Sequence, residues 1–171
     1  MSEPLHELGA MRQRELIAAG DLSPVDLVSA YLARIDADAG RSGAFITVTR
    51  ERALDRARQL EQDPEARSQR ADRRSAPLWG MPFADKDLEA RAGVPTTFGS
   101  RAFAGHVPEA RSALVETMDA AGGISLGKTN TPEFGLPAYT ENAVAAPAVT
   151  PWGSGLGAGG SSGGAAAAVA A

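Results

Sequence analysis

A run of glycines around two serines is the segment of the chain best suited to chemistry: Gly159-Gly160-Ser161-Ser162-Gly163-Gly164. Glycines on both sides let the backbone approach a ligand closely. The alanines that follow predict a helix, whose N-terminus attracts anions. The two serine hydroxyls would therefore lie where a phosphate or an oxyanion could bind.

Three interpretations of this segment compete. The first is a flexible Gly/Ser linker, although a linker does not need an alanine helix after it. The second is a dinucleotide-binding fingerprint, because Gly155, Gly157 and Gly160 satisfy the spacing GxGxxG. That motif needs a strand directly before it and an acidic residue after it, whereas 150–153 is a poor strand and no acid follows. The third interpretation pairs the serines with a base elsewhere in the chain.

Lys86 is the candidate for that base. A serine hydroxyl becomes nucleophilic only beside a group that can take its proton. The two histidines are poorly placed for this, because His6 lies on a predicted helix and His106 in a turn-like stretch. A lysine can act as a base only where burial or nearby positive charge lowers its pKa toward neutrality. Without such surroundings Lys86 would be an ordinary surface lysine.

Helical and strand patterns alternate along the chain and predict an α/β fold. The predicted helices cover 5–19, 23–36, 53–60 and 113–121, and the predicted strands cover 44–49, 78–84 and 124–126. Gly20 is the expected stop of the first helix, and Ser23 is the expected N-cap of the second. The strand at 78–84 leads into the loop that carries Lys86. The polar, arginine-rich stretch 63–76 lacks apolar periodicity and is predicted to be a solvated loop.

Composition favours a soluble globular protein of one domain. The 171 residues are 43% hydrophobic and 22% charged, which is typical of globular chains, and this length suits a single core. The net charge of −4 gives no general attraction to nucleic acid or anionic lipid. The chain has no cysteine, no signal-peptide pattern and no long apolar run. We therefore expect a cytoplasmic protein with no nucleic-acid or membrane partner, no metal site and no cofactor.

Four ordered motifs resemble those of amidase-signature enzymes. They are WGMPFADKD at 79–87, PTTFGS at 95–100, GKTNTPEFG at 127–135 and GGSSGG at 159–164. The resemblance implies the N-terminal part of the amidase-signature α/β/α fold, with a twisted mixed sheet covered by helices. Residues 1–171 would then form one incomplete domain, with N-terminal helices at 1–40 and a core that carries the lysine and the Gly/Ser signature at 78–171.

The resemblance also implies a mechanism, since the family hydrolyses amides with a Ser-cisSer-Lys triad. Motif matching makes Lys86 the base and Ser161 the bridging serine, in a cis peptide with its predecessor. Ser162 would be an auxiliary hydrogen-bonding serine, and Gly159, Gly160, Gly163 and Gly164 would form the backbone loop. Neutral Lys86 would take the proton of Ser161, which would take that of the nucleophile. The expected partner is a small-molecule amide.

The family's nucleophilic serine lies in a further glycine-rich segment beyond the bridging serine, whereas this sequence ends ten residues after Ser161. We therefore expect this chain alone not to hydrolyse amides, and to associate through surfaces that the missing part would cover. Two alternatives stay open. One is a non-catalytic module that binds a ligand or a partner, and the other is a glutamine amidotransferase-type subunit of the same family. These residues do not determine which amide is the substrate.

Overall fold

The structure is a computed structural model and describes residues 4–38, 40–153 and 155–171. The chain divides into two compact units. The first unit comprises the described residues of 1–34, 50–83 and 116–126, and the second unit comprises those of 35–49, 84–115 and 127–171. No helix in the described part of the chain is both long and apolar enough to cross a membrane.

The N-terminal helices are α1 (Ala10–Ala19) and α2 (Pro24–Asp38). The prediction of one helix over 5–19 is wrong at its start, because Leu5–Glu7 is a separate 3-10 turn and Leu8 has extended backbone before α1 begins. The predicted stop is confirmed, since Gly20 ends α1 in the left-handed conformation with a φ of 86°. The predicted N-cap is confirmed too, because Ser23 Oγ accepts hydrogen bonds from the first backbone amides of α2.

Strand β1 (Phe45–Val48) and helix α3 (Arg50–Gln62) follow. Both elements were predicted, and α3 is longer than the predicted 53–60. The prediction that 63–76 is only a loop is wrong, because Pro64–Ser68 forms the short helix α4. Asp63 caps it by accepting a hydrogen bond from the Glu65 amide at 2.9 Å, and proline is favoured as a first helical residue. A single helical turn is too short to show apolar periodicity, so its cap was the usable signal.

The remaining elements are β2 (Pro82–Lys86), α5 (Ala113–Ala120), β3 (Ile124–Thr129) and α6 (Gly163–Ala170), with 3-10 turns at Arg101–Phe103 and Glu133–Gly135. The predicted strand at 78–84 is shifted, because 77–80 form a turn in which Gly80 has a φ of 76°. Lys86 is consequently the last residue of a strand rather than a loop residue. The strand predicted at 124–126 is confirmed and extends to Thr129.

The three strands form a mixed sheet in the order β1-β3-β2. β1 is antiparallel to β3, with Phe45 opposite Thr129. β2 and β3 run parallel, because the Ile124 amide bonds the Met81 carbonyl where they begin and the Asp87 amide bonds the Thr129 carbonyl where they end. The predicted α/β class with a mixed sheet is confirmed. The carboxyl ends of β2 and β3 lie side by side, and such an edge is a common place for a functional site.

Candidate active site

Lys86 and Ser161 are neighbours although 75 residues separate them in the sequence. Lys86 Nζ donates a hydrogen bond to Ser161 Oγ at 2.7 Å. Both residues are partly buried. Burial lowers the pKa of Lys86 below its ordinary value of 10.5, because a low-dielectric environment disfavours the ammonium form. An amine of lowered pKa against a serine hydroxyl is an arrangement suited to proton transfer.

Ser161 lies in a loop that Thr140 fastens on both sides. Thr140 Oγ1 donates to the Gly159 carbonyl at 2.8 Å and accepts from the Gly163 amide at 3.0 Å. The Gly160–Ser161 peptide bond is cis, which is the geometry that the family resemblance implies. The hydroxyl of Ser161 is thus presented by backbone whose position is fixed before and after it. A freely moving Gly/Ser linker does not describe this segment.

Two glycines after Ser161 are needed because backbone lies against Gly164 and the Thr140 side chain lies against Gly163. A Cβ on Gly164 would stand 2.3 Å from the Asn130 nitrogen and 2.6 Å from the Ala44 oxygen, and one on Gly163 would stand 2.3 Å from Thr140 Oγ1. No side chain fits at such distances. Ser162 is exposed at the N-cap position of α6, and its hydroxyl makes no capping hydrogen bond there.

Two amides hold the surrounding loops together. Asn130 Nδ2 donates to the carbonyls of Gly43 and Ala146, each at 2.8 Å. Asn142 Nδ2 donates to Asn130 Oδ1 at 2.7 Å and to the Thr131 carbonyl at 2.8 Å. Asn130 is fully buried, so these bonds are needed to satisfy its polar atoms. This network fixes the backbone on which Gly164 packs.

Asp85, which precedes Lys86, forms a buried ion pair with Arg91. Arg91 Nε lies 2.6 Å from Asp85 Oδ2, and Arg91 Nη2 lies 3.2 Å from Asp85 Oδ1. The two side chains are 9% and 3% exposed. A two-pronged guanidinium–carboxylate contact fixes the orientation of both groups.

Asp87, which follows Lys86, is also buried beside a cation. Its Oδ1 lies 3.4 Å from Lys128 Nζ, and both side chains are fully buried. Its Oδ2 accepts hydrogen bonds from the backbone amide and the hydroxyl of Thr97. Lys128 Nζ also donates to the Glu89 carbonyl at 2.5 Å and to Thr96 Oγ1 at 2.9 Å. Burial lowers the pKa of Lys128, and the nearby carboxylates of Asp87 and Asp85 oppose that shift.

Neither histidine takes part in the pairing of lysine with serine that the structure displays. His106 stacks against Phe98 with ring centroids 6.0 Å apart and is exposed. His6 lies in the 3-10 turn before α1 rather than on the predicted helix. The dinucleotide interpretation lacks its strand, because 151–153 form a turn before Gly155. Of the three sequence interpretations, the geometry favours serine paired with lysine.

The buried charges were missed by sequence reasoning, because no pattern in the sequence pairs them. The chain has 17 lysines and arginines, and only Lys86 and Lys128 among them are lysines. Arginine remains protonated in proteins, whereas burial can lower the pKa of a lysine amine. Lys128 lies in the third motif, GKTN, and its partner Asp87 in the first.

Comparison with known proteins identifies the family of the chain. The family model described as Amidase matches residues 26–171. The chain is 44% identical over 174 residues to a glutamyl-tRNA(Gln) amidotransferase subunit of Anaeromyxobacter dehalogenans (strain 2CP-C), covering all of this chain and 34% of that protein. It is 41% identical over 167 residues to an acylamidase of Rhodococcus erythropolis, covering 98% and 34%. The chain thus spans about a third of the length of the curated relatives it matches.

Solved structures give the same result. A 6-aminohexanoate cyclic dimer hydrolase superposes with a TM-score of 0.81 at 31% identity, over 99% of this chain and 33% of that one. A bacterial aryl acylamidase of the amidase signature family superposes with a TM-score of 0.78 at 29% identity, over 96% and 34%. The matched motifs, the mixed sheet and the family model agree, and the chain belongs to the amidase signature family.

Proposed function

We propose that the protein containing this sequence hydrolyses carboxamide C–N bonds, with Lys86 as the base and Ser161 as the bridging serine. The observation that carries the proposal is the 2.7 Å contact between Lys86 Nζ and Ser161 Oγ, made by a lysine whose pKa burial lowers. The similarity to acylamidases supports amides as the substrate class. A small-molecule amide is the proposed partner, and a cytoplasmic location belongs to the same proposal.

In this proposal the proton moves in two transfers. Neutral Lys86 takes the proton of the Ser161 hydroxyl, and Ser161 takes the proton of the nucleophilic hydroxyl. The nucleophile adds to the amide carbon, the C–N bond breaks, and the departing nitrogen receives a proton by the reverse route. Water then cleaves the acyl-enzyme ester to release the acid. Ser162 and the glycine loop Gly159, Gly160, Gly163 and Gly164 would orient Ser161 in both steps.

The nucleophile itself is expected outside these 171 residues. In the family pattern it lies in a further glycine-rich segment, and the relatives are about three times as long as the matched stretch. We therefore expect the 171-residue polypeptide, made alone, to lack amide hydrolysis. Exposed apolar side chains of the second unit support the expectation that this polypeptide associates with itself; they include Leu136, Tyr139, Trp152 and Val169.

The test uses the natural polypeptide that contains this sequence and a panel of amides, namely glutamine, short aliphatic amides and aryl amides. Ser161→Ala should abolish hydrolysis, because the relay to Lys86 is broken. Ser162→Ala is the matched control, since the neighbouring hydroxyl is exposed and its loss should reduce the rate much less. Absence of hydrolysis across the panel would overturn the proposal and favour a non-catalytic binding module.

A glutamine amidotransferase-type subunit is the second candidate function. The observation that favours it is the 44% identity to a protein of that kind, the glutamyl-tRNA(Gln) amidotransferase relative described above. In that case glutamine would be the preferred amide, and hydrolysis would increase when the partner subunits are present. Comparing glutamine with aryl amides, with and without co-purified proteins, separates the two candidates. Hydrolysis of aryl amides by the isolated protein alone would favour the amidase.

A further inference from the structure

Four buried charges surround the strand end that carries Lys86. They are the carboxylates of Asp85 and Asp87, which flank Lys86 in sequence, and the cations of Arg91 and Lys128. The four form one electrostatic cluster, because Asp87, Asp85 and Arg91 all act on Lys128. Two negative and two positive charges sum to zero. The mechanism proposed above uses none of them.

We propose that the ion pairs Asp85–Arg91 and Asp87–Lys128 are positioning residues that hold Lys86 against Ser161. This inference deepens the proposed function and rests on it. None of these four residues is a catalytic residue, because they act only on the backbone that carries Lys86. Their removal should misplace the amine without removing it.

Alternation along the strand is the first argument. Successive side chains of a strand point to opposite faces, so Asp85 lies on the face of β2 opposite Lys86. Asp87 follows β2 as the first residue of a turn. Both carboxylates are buried, whereas Lys86 reaches Ser161 on its own side. Buried anchors directly before and directly after Lys86 thus restrain the direction in which this residue presents its side chain.

Hydrogen bonds from the Thr129 hydroxyl and to its carbonyl complete this restraint on both sides of Lys86. Thr129 Oγ1 donates to the Asp85 carbonyl at 3.2 Å, and the Asp87 amide donates to the Thr129 carbonyl at 3.0 Å. Lys128, beside Thr129 in sequence, bonds the Glu89 carbonyl at 2.5 Å. The chain is therefore fixed before Lys86, directly after it, and again at Glu89.

Stability alone does not account for four buried charges. Replacing a buried ion pair with well-packed apolar groups is often neutral or stabilising, because desolvation offsets the attraction between the charges. What the two-pronged Asp85–Arg91 contact supplies is fixed geometry. Asp87 lies 3.4 Å from Lys128 Nζ and is held in place by the amide and the hydroxyl of Thr97. The cations also balance the carboxylates beside Lys86, since an unbalanced carboxylate would favour the ammonium form of the lysine.

The experiment compares paired charge removals in the natural polypeptide that contains this sequence. The variants are Asp87→Asn with Lys128→Met, and Asp85→Asn with Arg91→Met. Removing both charges of a pair avoids leaving one of them buried alone. We expect kcat for an amide substrate to fall about 10²-fold with KM unchanged, as for a misplaced catalytic group. The single variant Arg91→Lys keeps the charge but loses the two-pronged contact. We expect its kcat to fall less than that of Asp85→Asn with Arg91→Met.

A second readout does not depend on activity. The pH dependence with which the Lys86 amine reacts with an acylating reagent is followed by mass spectrometry of its peptide. We expect the midpoint to rise in both double variants, because a released Lys86 becomes more exposed and regains the ordinary lysine pKa. Loss of folding stability alone would not move this midpoint.

Two controls separate positioning from general damage. Asp55→Asn with Arg58→Met makes the same chemical change at an exposed pair 2.8 Å apart on α3, and should leave kcat and the midpoint unchanged. Leu60→Ala opens a cavity in the apolar core of the first unit and should lower stability without moving the midpoint. Wild-type kcat and midpoint in the folded double variants would overturn the inference. If the wild type were inactive, the proposed function would be overturned instead. The midpoint of Lys86 acylation would then still test whether the ion pairs position this lysine.

Discussion

The two units of the chain bury different kinds of side chain. The first unit buries mainly apolar groups, among them Ile17, Leu27, Val28, Leu32, Leu60 and Trp79. The second unit buries mainly polar and charged groups, among them Asp85, Asp87, Arg91, Thr96, Thr97, Lys128, Asn130 and Thr140. An apolar core is stabilised by the apolar surface that it buries and by its close packing. A polar core is stable only when each buried hydrogen-bonding group and charge has a partner.

This difference explains where the candidate site lies. Lys86 and Ser161 belong to the second unit, in which side chains are held by specific directional contacts. Such contacts fix the position of a reacting atom better than apolar packing does. They also make the second unit sensitive to changes that leave the volume almost unaltered, and this sensitivity can be tested.

The largest expected effect is that of Lys128→Met. The substitution preserves most of the side-chain volume but leaves the Asp87 carboxylate buried without its cation. We expect it to lower the free energy of unfolding by about 3–5 kcal/mol, measured by urea unfolding of the natural polypeptide. Adding Asp87→Asn should restore most of that loss. If the single and double variants were equally unstable, packing rather than charge would determine the stability of this region.

A smaller effect is expected from Gly164→Ala, which adds one methyl group against the backbone of Asn130 and Ala44. Overpacking of this kind costs about 1–3 kcal/mol. Gly157→Ala is the matched control, because a Cβ there would meet nothing within 4 Å. The difference between their melting temperatures is the measurement. Equal melting temperatures would contradict the close packing of the loop after Ser161.

The smallest effect is a gain in stability from Lys86→Met. Burial lowers the pKa of Lys86 from 10.5, so at neutral pH the folded state bears a cost for burying an amine that is protonated in the unfolded chain. The folded state binds fewer protons than the unfolded state between the two pKa values, and that cost disappears as pH rises through them. We therefore expect a slightly higher melting temperature at pH 7 and no gain above about pH 10.5. A gain independent of pH would contradict this origin.

Sequence patterns predicted the longer helices of the apolar unit and the outline of the candidate site. Helix α2 followed from its Ser23 cap and its apolar spacing, and Ser161 with Lys86 followed from motifs that stand far apart. Helix α4 was missed, because one helical turn shows no periodicity. The start of β2 was misplaced, because the left-handed Gly80 interrupts an apolar run.

The polar core could not be predicted in the same way. The partners of Asp85 and Asp87 lie 6 and 41 residues away in sequence, and no periodic pattern marks such pairs. Thr140 fastens a loop 19 to 23 residues downstream through its hydroxyl. These pairings depend on the three-dimensional path of loops. The sequence also does not show that Gly164 is needed because distant backbone lies where its Cβ would be.

The most direct test of the account is the amidase activity of Lys86→Arg in the natural polypeptide, measured as kcat/KM across pH. Arginine keeps the positive charge and most of the length, but it cannot give up its proton to become a base. If Lys86 takes the proton of Ser161, the variant should lose about 10²–10⁴-fold at every pH, with its melting temperature close to that of the wild type. Activity within a few-fold of the wild type would contradict the assignment of Lys86 as the base.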